Sequence, residues 1–251
     1  MNTSQPLRIV VMAGGTGGHV FPALAVADEL RARGVEVSWL GTRRGLEAEV
    51  VPKAGFPIDY IQVAGLRGKG LVSLLTAPVK LLSALYQGLK IMRRRNPAAV
   101  LGMGGYVTGP GGLAAGLSRR PLLIHEQNAR AGLTNRLLAP FAKRVMEAFP
   151  NTFSVKKKFV KGKSANLKVL HTGNPLRQDF IANDFGFNKN ASKPMHLLVI
   201  GGSLGAAHLN AVVPAALAAM DESMRPEVWH QTGKNNVDAT QAAYTSENVM
   251  M

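Results

Sequence analysis

The sequence predicts an α/β fold of doubly wound parallel sheets, and three observations carry that expectation. Short apolar runs alternate with segments of helical periodicity along most of the chain. Three of those runs end in glycine-rich turns: Gly14-Gly15-Thr16-Gly17-Gly18-His19, Gly102 to Gly112, and Gly201 to Ala206. The pattern is also interrupted by a lysine-rich polar stretch from Asn151 to Asn166 and by an aperiodic one from Phe180 to Lys193, after which it resumes. Two domains are therefore expected, 1–177 and 178–251. The second is expected to be incomplete, since two strands and two helices before Met251 are too few to cover a sheet.

The first strand is the run Ile9 to Ala13. A helix from Pro22 to Arg33 follows, with Pro22 in its first turn, apolar Leu24, Val26, Ala27 and Leu30, and Gly34 as its stop. Val35 to Leu40 alternates as a second strand, a short helix runs from Leu46 to Lys53, and Ile58 to Val63 reads as a third strand. After the basic loop Gly65 to Gly70, a helix from Pro78 to Arg95 carries Leu82, Leu85, Leu89 and Met92 at helical spacing. Of these, Leu85, Leu89 and Met92 are expected in the core. Val100-Leu101 enters the second glycine turn, and Leu122 to Ile124 ends in the polar tip His125-Glu126-Gln127-Asn128. A helix over Ala131 to Lys143, a strand over Val145 to Phe149 and a strand over Leu167 to Leu170 complete the first half. In the second half, strands at Leu197 to Ile200 and Val228 to Gln231 bracket an alanine-rich helix reaching Met220.

Composition narrows the function. The 251 residues hold 30 Lys and Arg against 15 Asp and Glu, a formal charge of +15, so an anionic partner is expected. With no cysteine, disulfide and thiolate chemistry are excluded. The N-terminus reads as a strand and not as a secretory leader, and no stretch is long and clean enough to span a bilayer.

A glycine turn between strand and helix lets a phosphate approach the backbone, and the helix N-terminus presents N–H groups to it. His19, at the end of that turn, is a candidate base for an attacking hydroxyl, since a helix N-terminus favours the neutral imidazole. The tip His125 to Asn128 places four polar side chains where packing does not call for them. Glu126 is the first carboxylate after Asp59, in a basic region where an acid is either an ion-pair partner or a functional group. That carboxylate-free span also holds Leu71, Leu74, Leu75, Val79 and Leu82 beside several lysines and arginines, a pattern suited to an anionic membrane surface. No metal is expected: there is no His or Cys pair at ligand spacing, and Glu47 and Glu49 read as solvent-facing.

Six stretches in order, AGGTGGHVFPALAVA from Ala13, GLRGKG from Gly65, LGMGGYVTGPGGLAA from Leu101, HEQNARAGLTN from His125, TGNPLR from Thr172 and GGSLGA from Gly201, closely resemble the MurG-type N-acetylglucosaminyltransferases of peptidoglycan synthesis. The resemblance implies a GT-B fold, two Rossmann-like domains facing across a cleft. It implies transfer of N-acetylglucosamine from UDP-N-acetylglucosamine to undecaprenyl-pyrophosphoryl-N-acetylmuramyl-pentapeptide, with inversion and with no metal or other cofactor. It also implies a peripheral position on the cytoplasmic face of the bacterial inner membrane. Carried over by position, Thr16, Gly17, Gly18, Asn128, Arg177 and Ser203 contact the donor, and His19 and Glu126 are catalytic. Gly104, Gly105, Tyr106, His125 and Asn135 form the acceptor and diphosphate pocket. The family's later donor-domain segments have no counterpart before Met251, so the chain resembles a truncated member expected to bind the donor poorly by itself. Two rivals stand beside this reading. Arg43 and Arg44 after the second strand, with Tyr86 and Lys90, fit an NADP-dependent oxidoreductase. A non-enzymatic basic module for membrane or nucleic acid explains the charge but not His19 or the polar tip; under the enzyme reading no nucleic acid is expected.

Overall fold

The computed structural model describes residues 6–63, 76–153, 169–178, 195–202 and 205–247. The chain divides into two compact units, Met1–Asp184 and Phe185–Met251.

The first unit is a sheet of seven strands: β1 (Arg8–Ala13), β2 (Glu36–Gly41), β3 (Ile58–Tyr60), β4 (Ala99–Gly104), β5 (Leu122–Glu126), β6 (Arg144–Glu147) and β7 (Val169–His171). They lie in the order β3-β2-β1-β4-β5-β6-β7, and every pairing is parallel. Parallel strands need crossovers, supplied by α1 (Gly17–Ala32), α2 (Glu47–Lys53), α3 (Ala77–Arg95), α4 (Thr108–Leu117) and α5 (Leu133–Leu138). The apolar run Ile9 to Ala13 of β1 follows from burial on both sides. Val10 and Met12 pack with Ala84, Met92 and Ala114 of α3 and α4, while Val11 and Ala13 pack with Val20, Ala23 and Ala27 of α1. Met92 is fully buried and Leu85 and Leu89 pack against the core, as their spacing predicts. Gly88 permits the close approach of α3 to α4, since a Cβ there would lie 3.0 Å from that of Ala114.

Four elements differ from their sequence readings. Helix α1 starts at Gly17, more than a turn before Pro22, and the N–H that proline lacks is the one that would have bonded the carbonyl of Gly18. The helix expected to reach Lys143 ends as α5 at Leu138 and tightens into a 3₁₀ turn over Ala139–Phe141, because Pro140 cannot continue an α-helical ladder. Strand β3 stops at Tyr60, and the next free N–H, that of Gln62, donates instead to Gln87 Oε1 on α3 at 2.8 Å. Strand β6 stops at Glu147, whose carboxylate accepts the N–H of Asn151 at 2.9 Å and of Phe153 at 3.2 Å and so turns the chain.

The second unit has two parallel strands, β8 (His196–Ile200) and β9 (Glu227–Gln231), with α6 (Ala207–Ala218) and α7 (Val237–Ser246). Val199, Leu217, Val228 and Tyr244 form its core on one side of the sheet, and Leu198, Ile200 and Trp229 are exposed. Its glycine turn closes on the neighbouring strand's end: a Cβ at Gly205 would lie 1.8 Å from the Thr232 carbonyl oxygen. Among the described residues no helix is long and apolar enough to cross a membrane.

Candidate active site

In the first unit the chain runs from β1 outward to β3 and then crosses to β4 on the other side of β1. Ligands of open α/β sheets bind beyond the strand ends at such a reversal. The glycine turns after β1 and β4 meet there. A Cβ on Gly105 would fall 2.2 Å from the carbonyl oxygen of Gly14, and Gly105 has a φ of +85°. Only glycine serves both demands. The His19 ring, in the first turn of α1, lies against Gly104, where a Cβ would come within 2.9 Å of Cε1 and Nδ1.

The N-terminus of α1 is open to an anion. Thr16 makes no side-chain cap, no acid occupies the first turn, and the Gly17 and Gly18 N–H groups have no partner among the described residues. The N–H of Gly15 differs, because it already holds an anion belonging to the protein. It donates to Glu47 Oε2 at 3.0 Å, while Thr42 donates its N–H and its hydroxyl to Glu47 Oε1 at 2.8 and 2.7 Å. Glu47 is fully buried, which overturns its solvent-facing reading, whereas Glu49 is exposed beside Lys53. Gly14, Gly41 and Gly45 enclose Glu47, and a Cβ at Gly14 would stand 2.7 Å from Oε1. Sequence reasoning missed this residue. The available signal was an acid opening a helix two residues after Gly45, with Thr42 just upstream.

The tip after β5 is a hydrogen-bonded unit. Glu126, 1% exposed, accepts the Asn128 N–H at 3.1 Å and its amide at 2.9 Å on Oε1, and the Gly132 N–H at 2.9 Å and the Asn135 amide at 3.0 Å on Oε2. Among the described residues it has no arginine partner, and each oxygen accepts two hydrogen bonds. It therefore shapes the loop and does not present an acid to a ligand. Gln127 Oε1 lies 2.9 Å from His19 Nδ1, and Gln127 Nε2 lies 3.1 Å from His125 Nδ1 and 3.2 Å from the His125 carbonyl oxygen. His125 Nε2 lies 3.0 Å from the Gly173 carbonyl oxygen. Burial pushes the His125 pKa below 6.5, against the weaker upward pulls of the Gly173 hydrogen bond and the Glu126 charge.

Of the residues assigned from the sequence, Thr16, Gly17, Gly18, His19, Gly104, Gly105, His125, Glu126, Asn128 and Asn135 all belong to the ends of β1, β4 and β5, the loops after them, the first turn of α1 or the helix α5. His125 and Asn135 are 3% and 2% exposed, so both support the loops from inside and neither has a surface for an acceptor. Tyr106 is 56% exposed, Asn128 turns outward beyond its bonds to Glu126, and the Arg177 guanidinium sits 5.3 Å from the centre of the Phe21 ring. Val79 and Leu82 stand out from α3 at 70% and 66% exposure. Leu71, Leu74, Leu75 and Ser203 lie outside the described residues.

Comparison with known proteins identifies the family and the fold. The model of the glycosyltransferase family 28 N-terminal domain matches residues 9–147, and that of the C-terminal domain of the same family matches 196–251. A UDP-N-acetylglucosamine--N-acetylmuramyl-(pentapeptide) pyrophosphoryl-undecaprenol N-acetylglucosamine transferase of Nitrosococcus oceani is 55% identical over 97% of this chain and 66% of its own length. A protein of the same name from Stutzerimonas stutzeri is 52% identical over 96% and 65%. The crystal structure of Acinetobacter baumannii MurG is 44% identical, with a TM-score of 0.72 over 95% of this chain and 64% of that one. A UDP-N-acetylglucosamine 2-epimerase structure, 16% identical with a TM-score of 0.61 over 98% of this chain and 68% of that one, shares the fold. The chain thus spans just under two thirds of the length of these transferase relatives. The fold is GT-B-like, no dehydrogenase is needed to explain it, and the chain belongs to glycosyltransferase family 28.

Proposed function

We propose that this chain carries the acceptor side of an inverting transferase that moves N-acetylglucosamine from UDP-N-acetylglucosamine to undecaprenyl-pyrophosphoryl-N-acetylmuramyl-pentapeptide. The observation that carries the reading is His19 at the sheet's switch point, set beside the unpartnered N–H groups of Gly17 and Gly18. The relatives' names supply the substrates.

In this mechanism the acceptor hydroxyl gives its proton to His19 Nε2 as its oxygen bonds to the anomeric carbon. The bond from that carbon to the UDP oxygen breaks on the opposite face, so configuration inverts and the electron pair leaves with UDP. The Gly17 and Gly18 N–H groups and the α1 dipole favour negative charge near the reacting centre, and Arg177 is a candidate partner for the diphosphate. Thr16, Asn128 and Ser203 are proposed as further donor contacts, and Tyr106 as an acceptor contact. Glu126, His125 and Asn135 are assigned to positioning.

The exposed Val79, Leu81, Leu82 and Tyr86 on α3, interspersed with exposed Lys80, Lys90 and Arg93, support peripheral contact with an anionic membrane, on its cytoplasmic face. UDP release with a lipid acceptor analogue, in the chain extended to the length of its relatives, tests the chemistry. His19→Ala is expected to lower kcat by roughly 100-fold or more with little change in donor KM. An unchanged kcat removes His19 from the mechanism.

A further inference from the structure

We propose that Gln127 is the positioning residue of His19, holding the imidazole as its Nδ1–H tautomer so that the Nε2 lone pair is left bare for the acceptor hydroxyl. The proposal rests on the reading of His19 as base. It follows from hydrogen-bond roles, beginning with a group that has only one. The Gly173 carbonyl oxygen can only accept, so His125 Nε2, 3.0 Å away, carries the His125 proton. His125 Nδ1 is then an acceptor, and the Gln127 atom 3.1 Å from it is the amide nitrogen. The His125 carbonyl oxygen, 3.2 Å from the same nitrogen, demands the same orientation. The atom that Gln127 turns to His19 is therefore its carbonyl oxygen, which can only accept, and His19 Nδ1 donates to it across 2.9 Å. A neutral imidazole with a proton on Nδ1 has its lone pair on Nε2.

The surroundings keep this chain of donors intact. Gln127 and His125 are 6% and 3% exposed, so water does not readily replace either partner. Gly104 fills the space beneath the His19 ring. Burial favours uncharged His125, the state in which Nδ1 can accept. Among the described residues no carboxylate intervenes: Glu126 is spent on Asn128, Gly132 and Asn135, Glu47 on Gly15 and Thr42, and no ion pair includes His19. An amide partner orients the base without adding a charge that would favour the imidazolium.

Imidazole ¹⁵N shifts test the proposal on the 251-residue chain. The expected result is the Nδ1–H tautomer for His19 in the natural chain and a shift toward Nε2–H in Gln127→Leu. A natural chain in the Nε2–H form, or a Gln127→Leu spectrum with His19 unchanged, overturns it. In the chain extended to family length, Gln127→Leu is expected to lower kcat roughly 10- to 100-fold with donor KM unchanged. Gln127→Glu keeps the acceptor oxygen for His19 but loses the amide donor to His125, so it should restore kcat only in part, while its added charge moves the acidic limb of the pH profile to higher pH. Should Gln127→Leu fail to fold, an unmoved limb in Gln127→Glu sinks the proposal. His19→Ala separates the two claims. An unchanged rate there, with the expected tautomer, removes the base; a large loss there, with no effect of Gln127, removes only the positioning.

Discussion

Asp59 and Glu126 are the carboxylates on either side of a long acid-free span, and the protein satisfies them in opposite ways. Asp59, at the sheet edge, pairs with Arg94 and Arg95 of α3, the latter at 2.7 Å, and Arg94 is half exposed. Glu126, at the strand ends around His19, receives backbone and amide N–H groups and, among the described residues, no arginine. Glu47 and Glu147 follow the second pattern, on the N–H groups of Gly15 and Thr42 and of Asn151 and Phe153. In a chain with twice as many basic as acidic residues, this is a choice of geometry over charge pairing. An ion pair joins two side chains, whereas a carboxylate on N–H groups fixes the course of a loop. The strand ends are thus held by anions already neutralised by peptide dipoles, while the N–H groups of Gly17 and Gly18 remain for a ligand's anion.

The largest test of that contrast is a pair of truncations. Glu126→Ala strands four buried or half-buried donors, and at about 1 kcal/mol or more for each group left unpaired it is expected to cost about 4 kcal/mol or more. Asp59→Ala releases Arg94 and Arg95 toward solvent and is expected to cost about 1 kcal/mol. Urea midpoints at constant m-value measure both. Equal losses would mean that the arginine pair and the N–H cage do the same structural work.

A smaller change sharpens the comparison at the first glycine turn. Glu47→Gln preserves shape and one acceptor oxygen but turns an NH₂ group toward either Gly15 or Thr42. The expected cost is about 2 kcal/mol, the difference between hydrogen bonds to a charged and to a neutral acceptor together with one donor set against another. Hydrogen exchange at Gly15 and Thr42 should accelerate before exchange in β1 does. Uniform acceleration across the sheet would show that Glu47 supports the core and not the turn.

Much of this was legible in the sequence. The glycine turns and the strand and helix alternation needed only local chemistry, because backbone crowding at Gly105 and Gly205 admits no other residue. The ends of elements were less legible. Pro22 reads as a start signal yet sits inside α1, where its missing N–H costs the ladder a single bond, the one to the Gly18 carbonyl. The roles of Glu47, His125, Glu126 and Asn135 were not legible, because whether a polar side chain faces a ligand or a neighbouring loop depends on contacts between strands far apart in the chain. Glu47 meets Gly15 across 32 positions and His19 meets Gln127 across 108. Periodicity carries no information about such pairs.

The smallest effect is a slope with pH, and it tests whether the Glu126 charge is felt by its neighbour through its N–H cage. Burial holds the folded His125 pKa below its ordinary 6.5 while Glu126 pulls it upward. Below the ordinary value the unfolded chain binds a proton that the folded chain refuses. Stability attached to His125 is therefore fully present above pH 6.5 and is lost as pH falls through the folded value. Thermal midpoints of the natural chain should decline between neutral pH and mild acid, by less than either carboxylate truncation costs. His125→Gln should flatten that decline. Glu126→Gln removes the upward pull, so His125 should titrate at still lower pH by NMR and the loss should extend further into acid. A His125 titration that Glu126→Gln leaves in place would show that the N–H cage screens the carboxylate completely, and the contrast with Asp59 would then be one of geometry alone.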